Sequence, residues 1–418
     1  MTIRAWLACW AILPGMALAA PSIAPIEPPT RGSFDEQVIA RGASLSAIGN
    51  CNTCHTAEGG KPFAGGRPFR TPYGTVYGTN ITPEPETGIG RWSEAAFRRA
   101  LHEGLDRDGN HLYPVFPYDH FTKLGDDDVA ALYAYIMTRE PVRARAPANS
   151  VGFPYSVREF IAVWKNLYFV PGRFVPDPRQ GPQWNRGAYL VEGAGHCGAC
   201  HTPRNALGAE QKDRAYAGGE AGGWHAPALN AESPSPVPWN AAALDAYLRT
   251  GLTDAHAIAA GPMAPVVDNL ATVTDADTRA MAVYVAWLMG TPATGARNDP
   301  PHAQVPAGAT TSGAAIYAGS CASCHDLGRT ASSGGALELP LAIALALPVP
   351  SNLIHLTLQG VAPHEEKPGR FMPGFAGALT NEQVVALVQY LRTDVAGKPP
   401  WPAVDEEVAK VVAEINGR

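Results

Sequence analysis

The sequence predicts an all-α protein in which one helical unit is used three times. Three observations predict it. The pattern C-x-x-C-H recurs as Cys51-Asn52-Thr53-Cys54-His55, Cys197-Gly198-Ala199-Cys200-His201 and Cys321-Ala322-Ser323-Cys324-His325. Ahead of each pattern stands a short helical stretch entered near a glycine, at Arg41-Gly42, Arg186-Gly187 and Gly313-Ala314. Behind each, after a Gly- and Pro-rich passage, comes a longer helical pattern with a polar start. With 418 residues the chain has room for two to four domains, and its 43 Gly and 39 Pro call for short helices and abundant loops.

Taken in order, residues 1–19 read as a secretory signal peptide. Arg4 gives a basic start, Ala5 to Leu13 a short apolar centre, and Ala17-Leu18-Ala19 a small-residue exit. The seventh cysteine, Cys9, lies inside this leader. The first unit is expected over 33–142 and closes on a helix over Asp126–Met137, with Val129, Leu132, Tyr133 and Ile136 on its apolar face. Residues 143–180 form a linker rich in Phe160, Ile161, Val163, Trp164, Leu167, Tyr168 and Phe169. That segment is too short and too interrupted to span a bilayer. It has three readings: an interfacial membrane contact, a partner-binding segment, or a linker packed on the first unit. The second unit is expected over 181–293, closing on Asp275–Met289. The third is expected over 306–396, closing on Thr380–Arg392, where Thr380 and Gln383 have capping-box spacing. The tail, 397–418, sets Val404, Val408, Val411, Val412 and Ile415 on one helical face. Its acidic outer face favours packing against protein over contact with anionic lipid.

C-x-x-C-H is the attachment pattern of c-type haem. The two thiols add across the vinyl groups, one helical turn apart, and the histidine that follows presents its imidazole to iron. A zinc site needs four ligands where the pattern supplies three. A redox C-x-x-C needs no following histidine and no threefold recurrence. A disulfide framework would leave cysteines outside the motifs, and none remains once the leader is set aside. The sequence therefore predicts three covalent haems c on Cys51, Cys54, Cys197, Cys200, Cys321 and Cys324, with His55, His201 and His325 as proximal ligands. Helix, haem motif, Gly/Pro-rich loop, ligand loop and terminal helix is the order of a class I cytochrome c domain. The expectation is three such domains in tandem, with the haem supplying part of each small core.

An electron-transfer haem takes its second axial ligand from the loop before the last helix, most often methionine or histidine. Met372, in Phe371-Met372-Pro373-Gly374, and Met263, in Gly261-Pro262-Met263, stand in such loops. Their rigid Gly/Pro surroundings, in a chain with only 7 methionines, favour ligation over core filling. The first unit departs from the pattern. Its loop runs Leu112-Tyr113-Pro114-Val115-Phe116-Pro117-Tyr118-Asp119-His120, with Phe116 at the expected ligand position. His120, in the correct loop, is the expected ligand; His111 and a five-coordinate iron are the alternatives, and His102 reads as a surface-helix residue. The run from Asp106 to Asn110 is a turn and not a calcium loop, because Pro117 stands where a closing glutamate is needed.

A formal net charge of −6 gives nucleic-acid binding no electrostatic support. No apolar run reaches about 18 residues, which excludes a polytopic membrane protein. The chain resembles the three-haem cytochrome c subunits of membrane-associated bacterial dehydrogenases that oxidise alcohols, aldehydes, sugars or N-heterocycles. The resemblance is most specific from Thr71-Pro72-Tyr73-Gly74 through Thr79-Asn80-Ile81-Thr82-Pro83, and recurs at Gly261-Pro262-Met263 and Phe371-Met372-Pro373-Gly374-Phe375. It implies an electron-transfer subunit that is not an enzyme on its own. Such a subunit takes electrons from a separate catalytic subunit and delivers them to ubiquinone or a terminal oxidase. It implies a periplasmic place, peripherally attached to the outer face of the bacterial cytoplasmic membrane.

Relatives paired with quinoprotein alcohol dehydrogenases look similar but carry Met where this chain has Phe116. The Phe116/His120 arrangement, with Ala226-Pro227-Ala228-Leu229-Asn230 leading to Pro238-Trp239, looks more like relatives paired with molybdenum hydroxylases. Those partners oxidise aldehydes or N-heteroaromatics through a molybdopterin subunit and an iron–sulfur subunit. A PQQ or flavin dehydrogenase is the alternative partner. Outside this class stand a peroxidase-like haem enzyme with an open first haem and a free-standing electron shuttle. With His55/His120 ligation the first haem is expected at low potential, below the His/Met second and third.

Overall fold

The computed structural model describes residues 20–253, 256, 258–290, 311–326, 336–361 and 371–417. The expected leader, 1–19, and the expected start of the third domain at 306 lie outside these residues. Each C-x-x-C-H is preceded by a leading helix that packs on a later, closing helix. The pairs are Glu36–Ile48 with Asp126–Met137, Pro182–Tyr189 with Asp275–Leu288, and Ser312–Ser320 with Asn381–Tyr390.

A glycine makes each crossing close. A Cβ placed on Gly42 would stand 1.9 Å from the Ala131 carbonyl oxygen and 2.7 Å from Tyr135 Cβ. On Gly187 it would stand 2.0 Å from Ala280 O and 2.9 Å from Tyr284 Cβ; on Gly313, 2.2 Å from Ala386 O and 2.7 Å from Tyr390 Cβ. The same contact thus occurs three times: glycine on the leading helix, alanine and the tyrosine four residues later on the closing one. Any side chain at the glycine would force the helices apart. The helix starts are capped as their residues dictate. Asp35 accepts from Gln37 N and Val38 N, Thr274 from Asp277 N, and Thr380 with Gln383 forms both halves of the capping box.

The chain is mostly helical but not all-α. Pro68–Thr71 and Gly74–Tyr77 form an antiparallel hairpin, with Ser150–Val151 as a third strand on its second edge. Gly219–Ala221 pairs with Trp224–Ala226 across a Gly222-Gly223 turn, both glycines at positive φ. The expectation of a purely helical fold is corrected here. Thr75, Val76 and Tyr77 are strand formers, and a two-glycine turn is a hairpin signal.

One core runs through the first two units, joining Leu45, Ile48, Leu124 and Leu132 to Leu190, Val191, Met281 and Val285. A second core serves the third unit, with Ile354, Leu387 and Val388. The Val404–Asn416 helix completes it by burying Val404, Val408 and Val411, so the tail packs on protein as its acidic face suggested. In the linker, the Arg158–Tyr168 helix buries Ile161, Ala162 and Trp164 and leaves Phe160, Val163 and Leu167 exposed. Trp164 Nε1 donates to Leu207 O at 2.9 Å, fastening the inner face. No described helix is long and apolar enough to cross a membrane.

Candidate haem attachment sites

In each motif a single helical turn carries the two cysteines, and the histidine that follows is held by a backbone carbonyl. His55 Nδ1 bonds Thr79 O at 2.7 Å, His201 Nδ1 bonds Pro227 O at 2.7 Å, and His325 Nδ1 bonds Leu337 O at 3.0 Å. A carbonyl only accepts, so Nδ1 carries the proton in all three rings. Nε2 is left with the lone pair that an iron ligand needs. Burial lowers the pKa of His55 and His201, keeping them neutral. The six cysteines are free thiols. Burial pushes Cys54 and Cys197 up to about 12 and Cys321 up to about 11. Two free thiols one turn apart and an imidazole with an oriented Nε2 fit a c-type haem at each motif.

The carbonyls that orient the first two histidines were not read from the sequence. Thr79 and Pro227 lie just past the second strands of the two hairpins. The chain leading into each hairpin also bonds the motif through the backbone: Gly65 N donates to His55 O at 2.6 Å and Gly218 N to His201 O at 2.9 Å. A Cβ on Gly78 or Gly219 would stand 2.2 Å from Cys54 O or 2.4 Å from Cys200 O. The family-specific stretch from Thr71 to Pro83 is therefore the strand and turn that set His55. Its Asn80 is buried and donates to Val142 O and Ala144 O, pinning the segment to the chain beyond the closing helix.

Met263 opens the helix Met263–Leu270 and is half-buried. The residues before it rest on the second hairpin, since a Cβ on Gly261 would stand 2.4 Å from the Trp224 ring. Met263 is thereby brought to the strand that ends beside Pro227, the partner of His201. Met372 pairs with Val361 in an antiparallel bridge, with both N–H···O distances at 2.9 Å, directly after the helix Ser351–Gln359.

His120 is engaged through both ring nitrogens. Its Nδ1 bonds Glu192 O at 2.9 Å and its Nε2 bonds Glu210 Oε1 at 2.9 Å. Both partners accept, so both ring nitrogens carry protons and neither has a lone pair for iron. Burial alone would lower its pKa, but the hydrogen bond and charge of Glu210 outweigh that and raise it. Glu210 is shifted the opposite way, its own burial outweighed by the bond to His120. In this arrangement a second-unit carboxylate engages the His120 ring on the nitrogen that a sixth ligand would need. Asp119 joins the pair in a cluster whose ligand atoms lie within 4.8 Å of one another. The His120–Glu210 bond accounts for that closeness without a metal.

The first two motifs abut. His196, just before Cys197, reaches Gly49 O, just before Asn50 and Cys51, with Nε2 at 3.2 Å. Asn269 Nδ2 donates to Asn50 Oδ1 and, at 3.2 Å, to Thr53 Oγ1 inside the first motif. The third unit meets the second through the hairpin that orients His201. His225 N donates to Asn352 Oδ1 at 2.7 Å, and Asn352 Nδ2 returns a bond to His225 O at 2.9 Å. Trp224 stacks on His355 at 4.7 Å between ring centres. The tail helix of the third unit also reaches the first, where Arg70 donates to Gly417 O at 3.2 Å.

A profile described as cytochrome c matches residues 39–140, and one described as cytochrome c oxidase, cbb3-type, subunit III matches residues 308–391. The chain is 45% identical over 394 residues to a nicotinate dehydrogenase subunit of Pseudomonas putida, covering 94% of this chain and 33% of that protein. It is 36% identical over 391 residues to the fructose dehydrogenase cytochrome subunit of Gluconobacter japonicus, covering 87% and 80%. It is 36% identical over 382 residues to the gluconate 2-dehydrogenase cytochrome c subunit of Pantoea cypripedii, covering 86% of each. The chain spans about a third of the length of the first of these and most of the length of the other two.

Proposed function

The chain belongs to the family of cytochrome c subunits of dehydrogenases, and from that premise we propose that it carries three covalent haems and passes electrons from a dehydrogenase catalytic subunit to the respiratory chain. The observation that carries this reading is the repeated histidine–carbonyl bond, which leaves His55, His201 and His325 each with Nε2 free for iron. Bound there, haem supplies one-electron exchange between ferric and ferrous iron. The protein's own part is to hold the proximal imidazoles oriented, to offer Met263 and Met372 from their loops, and to set the first two attachment motifs side by side. Three cytochrome c domains over 33–142, 181–293 and 306–396, joined by the 143–180 linker and followed by the 397–418 tail, accord with the threefold glycine crossing.

The favoured donor is a molybdopterin hydroxylase with an iron–sulfur subunit. Its support is the likeness to a subunit named for nicotinate, an N-heteroaromatic acid. Likeness to fructose and gluconate dehydrogenase cytochromes favours the second reading, a flavin or PQQ partner. Ubiquinone or a terminal oxidase is the proposed acceptor, from a peripheral position on the periplasmic face of the membrane. Metal and cofactor analysis of the complex that co-purifies with the chain from native membranes tests the choice. Stoichiometric molybdenum with non-haem iron is the expected result; flavin or PQQ without molybdenum would overturn it.

A further inference from the structure

We propose that the described side chains of the first unit supply no second axial ligand to the first haem, so that the face opposite His55 is open to a small neutral diatomic ligand. The inference rests on the haem-carrying reading above and concerns only this chain's residues.

The first two units can be laid on each other through their backbones. A helix ends at Gly104 or Gly251, both at positive φ, and the chain returns to bond that same glycine: Leu112 N to Gly104 O at 2.9 Å, Ala259 N to Gly251 O at 2.7 Å. The bridges Leu105–His111 and Leu252–Ile258 flank those bonds in the same way. Four residues after Ala259 comes Met263, and four residues after Leu112 comes Phe116. The position that holds a thioether in the second unit holds a benzyl ring in the first, and that ring packs on Phe121 at 5.3 Å. It offers iron no electron pair.

No other described side chain of the first unit replaces it. His120 donates from both nitrogens. His111 Nδ1 accepts from the Lys165 ammonium at 3.3 Å, which leaves the proton on Nε2. His102 Nδ1 accepts from Arg173 at 2.6 Å, with the same consequence. Met137 sits at the end of the closing helix, buried with Phe63, Ile89 and Ile136. By contrast His55 donates from Nδ1 to a carbonyl and keeps its Nε2 pair.

The test is carbon monoxide titration of the reduced full-length holo-protein, with haem counted independently by pyridine haemochrome. Three haems and one bound carbon monoxide per chain are expected. Three haems and none bound would overturn the inference while leaving the electron-transfer reading intact; fewer than three haems would instead overturn that reading. Phe116→Met should take the stoichiometry from one to zero, and His120→Gln should leave it at one. Should Phe116→Met not assemble, near-infrared magnetic circular dichroism locates the open haem by exclusion. The ferric protein should hold two His/Met haems, with Met263→Ala and Met372→Ala each removing one. Three His/Met haems in the unaltered protein would refute the inference.

Discussion

His120 and Glu210 form a buried ion pair, Nε2 to Oε1 at 2.9 Å, across the junction of the first two units. Asp119 faces it from the same loop, Arg204 stands 3.8 Å from Glu210, and Lys123, Glu192 and His196 surround the junction. The helical turn of the second motif passes against it, since a Cβ on Gly198 would stand 3.0 Å from His120 Cε1. The pair therefore fixes how the second haem motif meets the first unit.

Its pH dependence follows from the two shifts. Glu210 is shifted below its ordinary value of 4.5, so its share of stability is full above that value and is lost as pH falls through the folded pKa. His120 is shifted above its ordinary 6.5, so its share is full below 6.5 and is lost as pH rises through the folded pKa. Both contributions are complete between 4.5 and 6.5. The holo-protein should lose this increment of thermal stability as pH climbs beyond 6.5. His120→Gln should flatten that decline while costing roughly 3–5 kcal/mol within the plateau, the usual loss when one partner of a buried pair is removed. Parallel pH profiles for the variant and the unaltered protein would refute the assignment.

Two glycines of one helix should respond in opposite ways. In Ser312–Ser320, a Cβ on Gly313 would collide with Ala386 O at 2.2 Å, whereas one on Gly319 meets nothing within 4 Å. Gly313→Ala should destabilise the third unit by about 1–3 kcal/mol through overpacking. Gly319→Ala should stabilise it by roughly 0.5–1 kcal/mol through reduced chain entropy. Denaturant unfolding of the two holo-proteins measures both, and equal effects would mean that the crossing tolerates separation.

Asn352 should matter to how the third unit is attached. Its side chain both donates to and accepts from the backbone of His225. Asn352→Ala leaves those two backbone groups without a partner, at a cost of about 1–3 kcal/mol. The expected outcome is slower internal reduction of the third haem after rapid reduction of the others, with haem content unchanged. An unaltered rate would mean that the remaining contacts, among them the Trp224–His355 stack, hold the junction.

The periodic and punctuated parts of the fold were legible in the sequence. The closing helix Asp126–Met137 and the Thr380–Gln383 capping box follow from apolar spacing and cap chemistry within a few residues. The hairpins were hidden because strands of three and four residues leave too little period to read, although Gly222-Gly223 was a usable turn signal. The histidines that follow the cysteines were legible because the C-x-x-C-H pattern fixes their place. Their orienting partners were not, since any residue has a carbonyl and only the fold selects Thr79, Pro227 and Leu337. The bond of His120 was hidden for a related reason. Its loop is legible, but Glu210, ninety residues away, is its partner.

The ligand chemistry orders the haem potentials. Thioether sulfur favours ferrous iron, so haems with Met263 or Met372 should lie above a haem that lacks it. A low first haem does not need bis-histidine ligation. With His120 engaged by Glu210, the same order follows from Phe116 standing in the methionine position. A redox titration should resolve one low and two higher midpoints. Met263→His should lower one of the higher pair by roughly 100 mV or more, on a scale where axial ligands span about 0.8 V. Met372→His should lower the other and leave the first where it was. Three superposed midpoints would refute the ligand assignment. A Met263→His variant that shifts the lowest midpoint would place that methionine on the wrong haem.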